Sequence, residues 1–273
     1  MEKKFEKFTF EKRLKSMLKV DLRRMFTSPF FYILVGIAFA VPVLILVMTT
    51  MMEGSVSVNP QTGLPSEPME GFDFVWQILG SVSGSQSDMQ AGAMTMDLVS
   101  MCNINMMFFA IAVLVCVFIG DDFKSGFAKN LFTVRSKKTD YVISKTAVCF
   151  LGSAVVFIAF FIGAVIGGGI AQLPFTMDGF NGANLVFCML SKILLTPVFV
   201  SIFTLMSVCA KQKTWLSICL SLGTGMLLFM MIPSLTPLNA TPVHAFGCLV
   251  GSVAFAVGLG AISNIVLNKT SLV

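Results

Sequence analysis

The chain of 273 residues is 56% hydrophobic and only 12% charged, with a net charge of +5. Soluble globular proteins carry about 25% charged residues, so this composition excludes an ordinary soluble domain and predicts one integral membrane domain over 1–273. The basic residues flank apolar runs, where anionic lipid headgroups attract them. We therefore expect no nucleic acid as a partner.

The first predicted element is a basic amphipathic helix over residues 8–27. Its apolar residues recur at three- and four-residue spacing, and basic residues surround the other face. Such a helix lies in the membrane interface with its apolar face toward the lipid. The alternative is a solvated basic tail. Ser28-Pro29 is predicted to end the helix, because proline disfavours the helical conformation in the residue before it.

Six apolar runs are long enough to span a bilayer, which takes about 20 helical residues for roughly 30 Å of hydrocarbon. They predict transmembrane helices over residues 30–51, 101–120, 146–171, 184–210, 215–232 and 245–267. The predicted fold class is therefore all-α integral membrane, with a long connection at 53–100. Within that connection Phe72, Trp76 and Leu79 share a helical face. They predict a short helix on the outer leaflet, with Trp76 among the headgroups.

The distribution of lysine and arginine predicts the topology. Except for Lys192, these residues precede the first run, separate the second from the third or the fourth from the fifth, or follow the last. Acidic residues are divided equally between the two sides. The positive-inside rule depends on Lys and Arg and hardly on acidic residues. We therefore predict that both termini are cytoplasmic and that 53–100 is external.

Two glycine motifs offer small helix faces, Gly163-x-x-x-Gly167 and Gly247-x-x-x-Gly251. Small residues let helices approach closely in a membrane. We favour packing within the chain for both motifs over contact with a second subunit.

The sequence contains none of the common catalytic motifs. It holds no phosphate loop, no HExxH and no GxSxG, and the single histidine, His244, has no nucleophile beside it. We therefore predict that the chain is not an enzyme and binds no cofactor itself.

Lys192 is the one candidate for a charge inside the membrane. If the fourth span begins at 184, Lys192 lies about 12 Å along it and needs a partner or a cavity. If the span begins at 193, the side chain reaches the outer interface, and we favour this alternative. Ion-coupled carriers rely on buried ionisable groups. A chain poor in them is expected to take its energy from a partner.

The connection between the second and third spans predicts a short amphipathic helix over 123–135. Phe123, Phe127, Leu131 and Val134 lie on one stripe of this helix. Aromatic and aliphatic side chains at this spacing suit docking in the groove of a partner protein. An interfacial helix facing lipid fits the stripe equally well.

The same connection carries a resemblance to a known family. An acidic residue followed four positions later by glycine (Asp122 and Gly126) precedes a basic segment with Tyr141 and Ser144-Lys145. With the basic N-terminal helix and the six-span layout, this pattern resembles the permease family of type 2 ABC exporters. The family more often has glutamate as the acidic residue and threonine after the glycine.

This resemblance implies a transmembrane subunit without ATPase activity in a bacterial plasma membrane. Its partners would be a second permease subunit, identical or paralogous, and two nucleotide-binding ATPase subunits that hold ATP and Mg. The segment 123–135 would be the coupling helix, and the cargo amphipathic or hydrophobic. Residues expected at the ATPase-coupling interface are Asp122, Phe123, Phe127, Lys129, Leu131 and Arg135. Residues expected along the substrate path are Lys192, Asn103, Asn105 and Trp76.

Two other functions remain open. An ion-coupled secondary transporter or a channel would need a cluster of ionisable groups inside the membrane. A non-transporting scaffold or immunity subunit could keep the docking helix and move no cargo.

Overall fold

All the regular structure that the described residues contain is helical. The computed structural model describes residues 10–53, 72–80, 103–134, 138–176, 181–211, 213–229 and 231–269. The α-helices are α1 (Phe10–Thr27), α2 (Pro29–Met52), α3 (Met107–Lys124), α4 (Phe127–Val134), α5 (Lys138–Ile170), α6 (Gly182–Ala210), α7 (Thr214–Phe229), α8 (Ile232–Leu235) and α9 (Pro242–Lys269). Two 3-10 turns precede α3, at Val75–Leu79 and Ile104–Met106.

Among the described residues, five helices are long and apolar enough to cross a membrane. These are α2, α3 together with the turn before it, α5, α6 and α9. Helix α7 has 16 residues, which extend over about 24 Å and fall short of the roughly 30 Å of hydrocarbon. An all-helical membrane fold is confirmed, and a sixth crossing by α7 stays a prediction.

Helix boundaries agree with the sequence where an apolar run begins at a turn. Ser28 has extended backbone (φ −74°, ψ 124°) and separates α1 from α2 as predicted, and α2 begins at Pro29, one residue before the predicted 30. Helix α5 instead begins at Lys138, well before the predicted residue 146. The prediction began that span after the last charge. The structure continues the helix through the charged residues because Asp140 and Lys145 find partners on α1.

The spans divide into a central and a peripheral set. Within the most apolar window of each helix, 67% of α3 and 61% of α6 is buried, against 28% of α2 and 17% of α9. Helix α2 packs along α5, and α9 packs along α6. Most exposed side chains of α9, among them Val243, Phe246 and Val257, are apolar. This is the surface expected of helices that face lipid.

The two glycine motifs differ in their surroundings. A Cβ on Gly163 would collide with the carbonyl oxygen of Phe39, and one on Gly167 would lie 2.8 Å from the Cα of Val43. The first motif therefore packs within the chain, on α2, as predicted. Gly247 and Gly251 have nothing within 4 Å of an added Cβ. For this second motif, the prediction of packing within the chain is wrong among the described residues.

Helix α1 is held against the bundle and is not a solvated tail. Met17, Asp21 and Met25 recur every four residues and are buried where α1 packs on α5. Phe10 and Val20 remain exposed. Part of the predicted lipid-facing stripe thus packs on protein.

The turn containing Trp76 lies inside the protein. The prediction of a helix on the outer leaflet is wrong, because the Trp76 side chain is only 8% exposed. Its ring stacks on that of Phe161, with centroids 5.7 Å apart. Its indole N–H donates to the carbonyl oxygen of Phe175 at 2.9 Å. Most of the connection 53–100 lies outside the described residues.

Candidate functional site

A buried cluster of charged side chains joins α1, α3 and α5. The ammonium of Lys145 lies 2.8 Å from Oδ1 of Asp21 and 2.6 Å from Oδ2 of Asp122, and all three side chains are 0% exposed. A buried charge is stable only when it is paired and hydrogen-bonded. Lys145 on α5 therefore requires both α1 and α3 to hold their present positions.

The remaining oxygens of this cluster are also satisfied. Arg24 donates to Oδ1 of Asp122 at 2.5 Å, and the Tyr141 hydroxyl donates to Oδ2 of Asp122 at 2.9 Å. The Ser144 hydroxyl donates to Oδ2 of Asp21 at 2.6 Å. Two carboxylates thus face two cations. We call Asp21, Arg24, Asp122, Tyr141, Ser144 and Lys145 the charge network.

Aromatic rings extend the charge network to α4. The guanidinium of Arg24 lies 4.2 Å from the ring centroid of Phe127, the first residue of α4. The ammonium of Lys145 lies 4.1 Å from the ring centroid of Phe118. Cations over aromatic faces attract by about 0.5–2 kcal/mol, the larger value when they are desolvated. Helix α4 is therefore attached to the network through Phe127.

A glycine sets the direction of α4. Gly126 has φ +73°, in the left-handed region that glycine enters without steric penalty. Nothing lies within 4 Å of a Cβ added there. Glycine is therefore favoured at this position by the backbone conformation and not by crowding. This residue lets the chain leave α3 and start α4 at once.

Other contacts gather further basic segments at the same end of the bundle. Arg13 on α1 pairs with Asp140 on α5 at 3.0 Å. Lys138 donates to the carbonyl oxygen of Leu267 near the end of α9 at 2.7 Å. The start of α7 also lies at this end of the bundle. A Cβ added to Gly120, near the end of α3, would lie only 2.7 Å from the hydroxyl of Thr214, the first residue of α7. The basic segments that the sequence analysis places on one side of the membrane therefore lie together at one end of the helix bundle.

A second polar cluster lies at the opposite end of α3. Lys192 is 0% exposed. Its ammonium donates to Oδ1 of Asn105 at 2.8 Å and to the Thr236 hydroxyl at 2.9 Å. Asn105 and Asp122 are separated by about 25 Å along the helical rise of this segment. We call Lys192, Asn105 and Thr236 the lysine cluster.

Comparison with known protein families accounts for most of the chain. A family model described as ABC-2 family transporter protein matches residues 22–227. The chain belongs to this family. The resemblance to type 2 ABC permeases is thereby confirmed, and the chain is a multi-pass membrane protein of a transporter family. Neither the curated proteins nor the solved structures contained a match.

The residues of this ABC-2 chain that were predicted to contact an ATPase do not share one surface. Asp122 and Phe123 are buried, Phe127 and Leu131 are half-buried, and Lys129 is exposed. Leu131 packs against the chain's own core. Phe127 and Leu131 therefore lie partly against the bundle, and their contact with a partner groove stays a prediction. Arg135 lies outside the described residues.

The residues predicted for the substrate path are partly brought together. Asn103 accepts a hydrogen bond from the backbone N–H of Asn105 at 3.0 Å, and Asn105 holds Lys192. Trp76 contacts Phe161 and Phe175 instead. The favoured prediction that Lys192 reaches the outer interface is wrong. Helix α6 begins at Gly182, and its lysine is buried with partners, as the other alternative required.

The sequence analysis named Asp122, Tyr141 and Ser144-Lys145 but did not pair them, and it missed Asp21 and Arg24. Asp21 and Lys145 are 124 residues apart, and no local pattern pairs them. One signal was available: Asp21 interrupts the otherwise apolar face of Met17 and Met25 at four-residue spacing. A carboxylate on a buried stripe needs a cation nearby. Lys145 is the matching residue, in a segment that was assumed to lie in water.

Proposed function

We propose that this ABC-2 chain is the permease subunit of an ATP-driven exporter. It would move an amphipathic or hydrophobic cargo outward across a bacterial plasma membrane, with both termini cytoplasmic. ATP and Mg would be held by separate nucleotide-binding subunits. The observation that carries the proposal is the charge network, because it ties α1 and the short helix α4 to the spans α3 and α5.

The network supplies a mechanical route from a docked ATPase to the membrane. A shift of α4 would move Phe127, which lies under Arg24, and Arg24 is bonded to Asp122 on α3. Lys145 would pass the same shift to α5. The fully paired side chains are expected to move as a unit, because separating any pair leaves a buried charge unmatched. Closure of the ATPase pair could thus switch the access of the cargo cavity.

The exposed face of α4 is the proposed docking surface. Lys129, Asn130 and Thr133 are exposed there, whereas the apolar side chains turn toward the bundle. We expect Lys129 to meet acidic residues at the rim of the ATPase groove. Phe127 and Leu131, both half-buried, would position α4 and contribute their exposed parts to the contact.

The open glycine motif on α9 is the proposed seam for the second permease subunit. A Cβ added to Gly247 or Gly251 would meet nothing within 4 Å among the described residues. Small residues at this spacing let two membrane helices approach closely. A copy of this chain or a paralogue would fit this face.

Co-purification tests the proposed function. The tagged chain is isolated from its native membrane in mild detergent, and the proteins that accompany it are identified by mass spectrometry. We expect a stoichiometric soluble ATPase with a phosphate loop. Lys129→Glu should reduce its recovery at least about tenfold, since charge reversal at a contact costs several kcal/mol. Lys211→Glu makes the same change at the exposed turn between α6 and α7 and should leave recovery unchanged.

Isolation of the chain alone, or only with itself, would contradict the exporter proposal. The channel and scaffold alternatives would then be favoured. Equal loss of the ATPase in both variants would show that total charge, and not the α4 surface, governs the association.

A further inference from the structure

Residues 72–80 form a short, mostly buried segment at the end of the bundle opposite to the charge network. Asp73 is exposed and bonds to Gln77, whose Nε2 donates to Oδ2 of Asp73 at 3.0 Å. The apolar side chains of the segment are buried, namely Phe72, Phe74, Val75, Trp76, Ile78 and Leu79. The segment thus has an apolar inner side and a polar outer side. We call residues 72–80 the outer plug.

The outer plug contacts several separate helices. The Val75–Leu79 turn packs against α2, α5 and the Ile104–Met106 turn that precedes α3. The backbone N–H of Val75 donates to the carbonyl oxygen of Pro174, which follows α5, at 3.2 Å. Gly168 on α5 makes room for the plug, because an added Cβ there would collide with the Val75 side chain. The plug therefore holds α2, α5 and the start of α3 together.

The outer plug ends at the lysine cluster. A Cβ added to Gly80, its last residue, would lie 3.8 Å from the carbonyl oxygen of Thr236 and 3.9 Å from the ammonium of Lys192. Lys192 in turn donates to Asn105 and to the Thr236 hydroxyl. All these residues are buried, so the ammonium is shielded from bulk water. The plug and the lysine cluster thus close the same end of the bundle.

This closed arrangement is unfavourable for Lys192. Only neutral oxygens accept from its ammonium, and Nδ2 of Asn105 beside it is buried without a partner. Within the part of the chain that the structure describes, each ion pair involves Arg13, Arg24 or Lys145 instead. A buried ammonium without a carboxylate is less favourable than a hydrated one. Hydration of the lysine therefore favours opening of this end, whereas burial of the apolar plug favours closure.

We propose that the outer plug is the gate that closes the outer end of the cargo path, and that Lys192 is a positioning residue that favours its opening. The inference rests on the proposed function, because it assigns one step of the export cycle to residues 72–80. Helices α3 and α5 share the charge network at one end and meet the plug at the other. A shift of these helices at the ATPase side would thus reach the plug, and its return would prevent cargo from flowing back.

Thiol labelling of Cys188 tests this gate. Cys188 is buried on α6, and its thiol lies 3.8 Å from the carbonyl oxygen of Thr236, the same oxygen that lies near Gly80. The purified full chain is placed in nanodiscs and treated with a negatively charged methanethiosulfonate, which does not enter lipid. The rate of modification of each cysteine is measured by mass spectrometry. Cys149, buried on α5 one turn after Lys145, reports unfolding of the whole chain.

Weakening the plug should expose Cys188. Trp76→Ala removes the ring stack and the indole hydrogen bond that anchor the plug. We expect Cys188 to be modified at least about tenfold faster, since truncation of a buried aromatic ring removes more than the 1.4 kcal/mol that corresponds to tenfold. The rate at Cys149 should stay unchanged. Trp215→Ala, the same change at an exposed tryptophan of α7, should alter neither rate.

Removing the lysine cluster should have the opposite effect. Lys192→Met with Asn105→Leu replaces the polar pair by apolar side chains of similar volume, a change that is often neutral or stabilising for buried groups. The Thr236 hydroxyl still donates to the carbonyl oxygen of Ile232. We expect Cys188 to be modified at least about threefold more slowly, with an unchanged or higher melting temperature. A lysine that only stabilises the fold would give faster modification and a lower melting temperature.

Three results would overturn the proposal. The first is an equal rate at Cys188 in Trp76→Ala and in the unaltered chain, and the second is faster modification in the folded lysine-cluster variant. If Cys149 shows that Trp76→Ala unfolds the whole chain, the lysine-cluster variant decides. The third is a rate at Cys188 that does not rise with MgATP in an active complex, which would leave the exporter proposal standing. Failure of co-purification would leave the measurements on the purified chain standing.

Discussion

Lys145→Met is expected to lower the free energy of unfolding by about 3–5 kcal/mol, because it leaves the buried carboxylate of Asp21 without a cation and close to that of Asp122. Both Asp21 and Asp122 lie within 3 Å of the lysine nitrogen, at 2.8 and 2.6 Å. Folded proteins are stable by only about 5–15 kcal/mol. The variant should therefore lose most of its folded yield, measured by size-exclusion chromatography and thermal melting in detergent.

A compensating change separates lost charge balance from lost packing. In Lys145→Met with Asp21→Asn, the remaining carboxylate of Asp122 still pairs with Arg24 and accepts from Tyr141. This double variant should recover on the order of 1–3 kcal/mol relative to Lys145→Met. Lys19→Met, at an exposed site on α1, should leave stability unchanged. Equal instability of the single and double variants would count against a balanced charge network.

Phe127→Ala combined with Leu131→Ala should uncouple ATP hydrolysis from cargo. Both residues lie on α4, outside the apolar spans, so membrane insertion should remain intact. The change removes the ring under Arg24 and the packing of α4 on the core. We expect cargo-stimulated ATPase activity of the reconstituted complex to fall at least about tenfold, since about 1.4 kcal/mol of lost coupling is tenfold.

The control for this prediction is at the turn between α6 and α7. Lys211→Ala trims an exposed side chain there without touching α4. It should keep most of the stimulation. Full stimulation in the double variant, with normal insertion and normal ATPase binding, would show that α4 does not transmit the signal through Phe127.

The long spans could be predicted because they depend on local composition. Apolar runs of sufficient length must form helices in a bilayer, where every backbone polar group needs an internal partner. Predicted and observed bounds of the first span agree closely, 30–51 against Pro29–Met52. The break at Ser28-Pro29 was equally local.

Contacts between distant residues could not be predicted in this way. Lys192 was expected to reach the interface because its partners lie 87 and 44 residues away, at Asn105 and Thr236. Burial of a lysine depends on such partners, which a single sequence does not pair. The same reason explains the early start of α5, whose charged first turns are paired with α1.

The inward face of α4 shows how one pattern fits two structures. A stripe containing Phe127 and Leu131 can dock on a partner or on the chain itself, and its periodicity is identical in both cases. The structure packs much of it on the chain's own core. The remaining polar face, with Lys129 and Asn130, could be assigned only after that packing was known.

Photocrosslinking from α4 in the native membrane tests the central claim most directly. A photoreactive amino acid replaces Asn130, which is exposed on the proposed docking surface. The same replacement at Val257, exposed on α9, is the control. We predict a covalent adduct with a soluble ATPase from position 130 and none from position 257. Adducts from position 130 with lipid alone, or with no protein partner, would contradict the account.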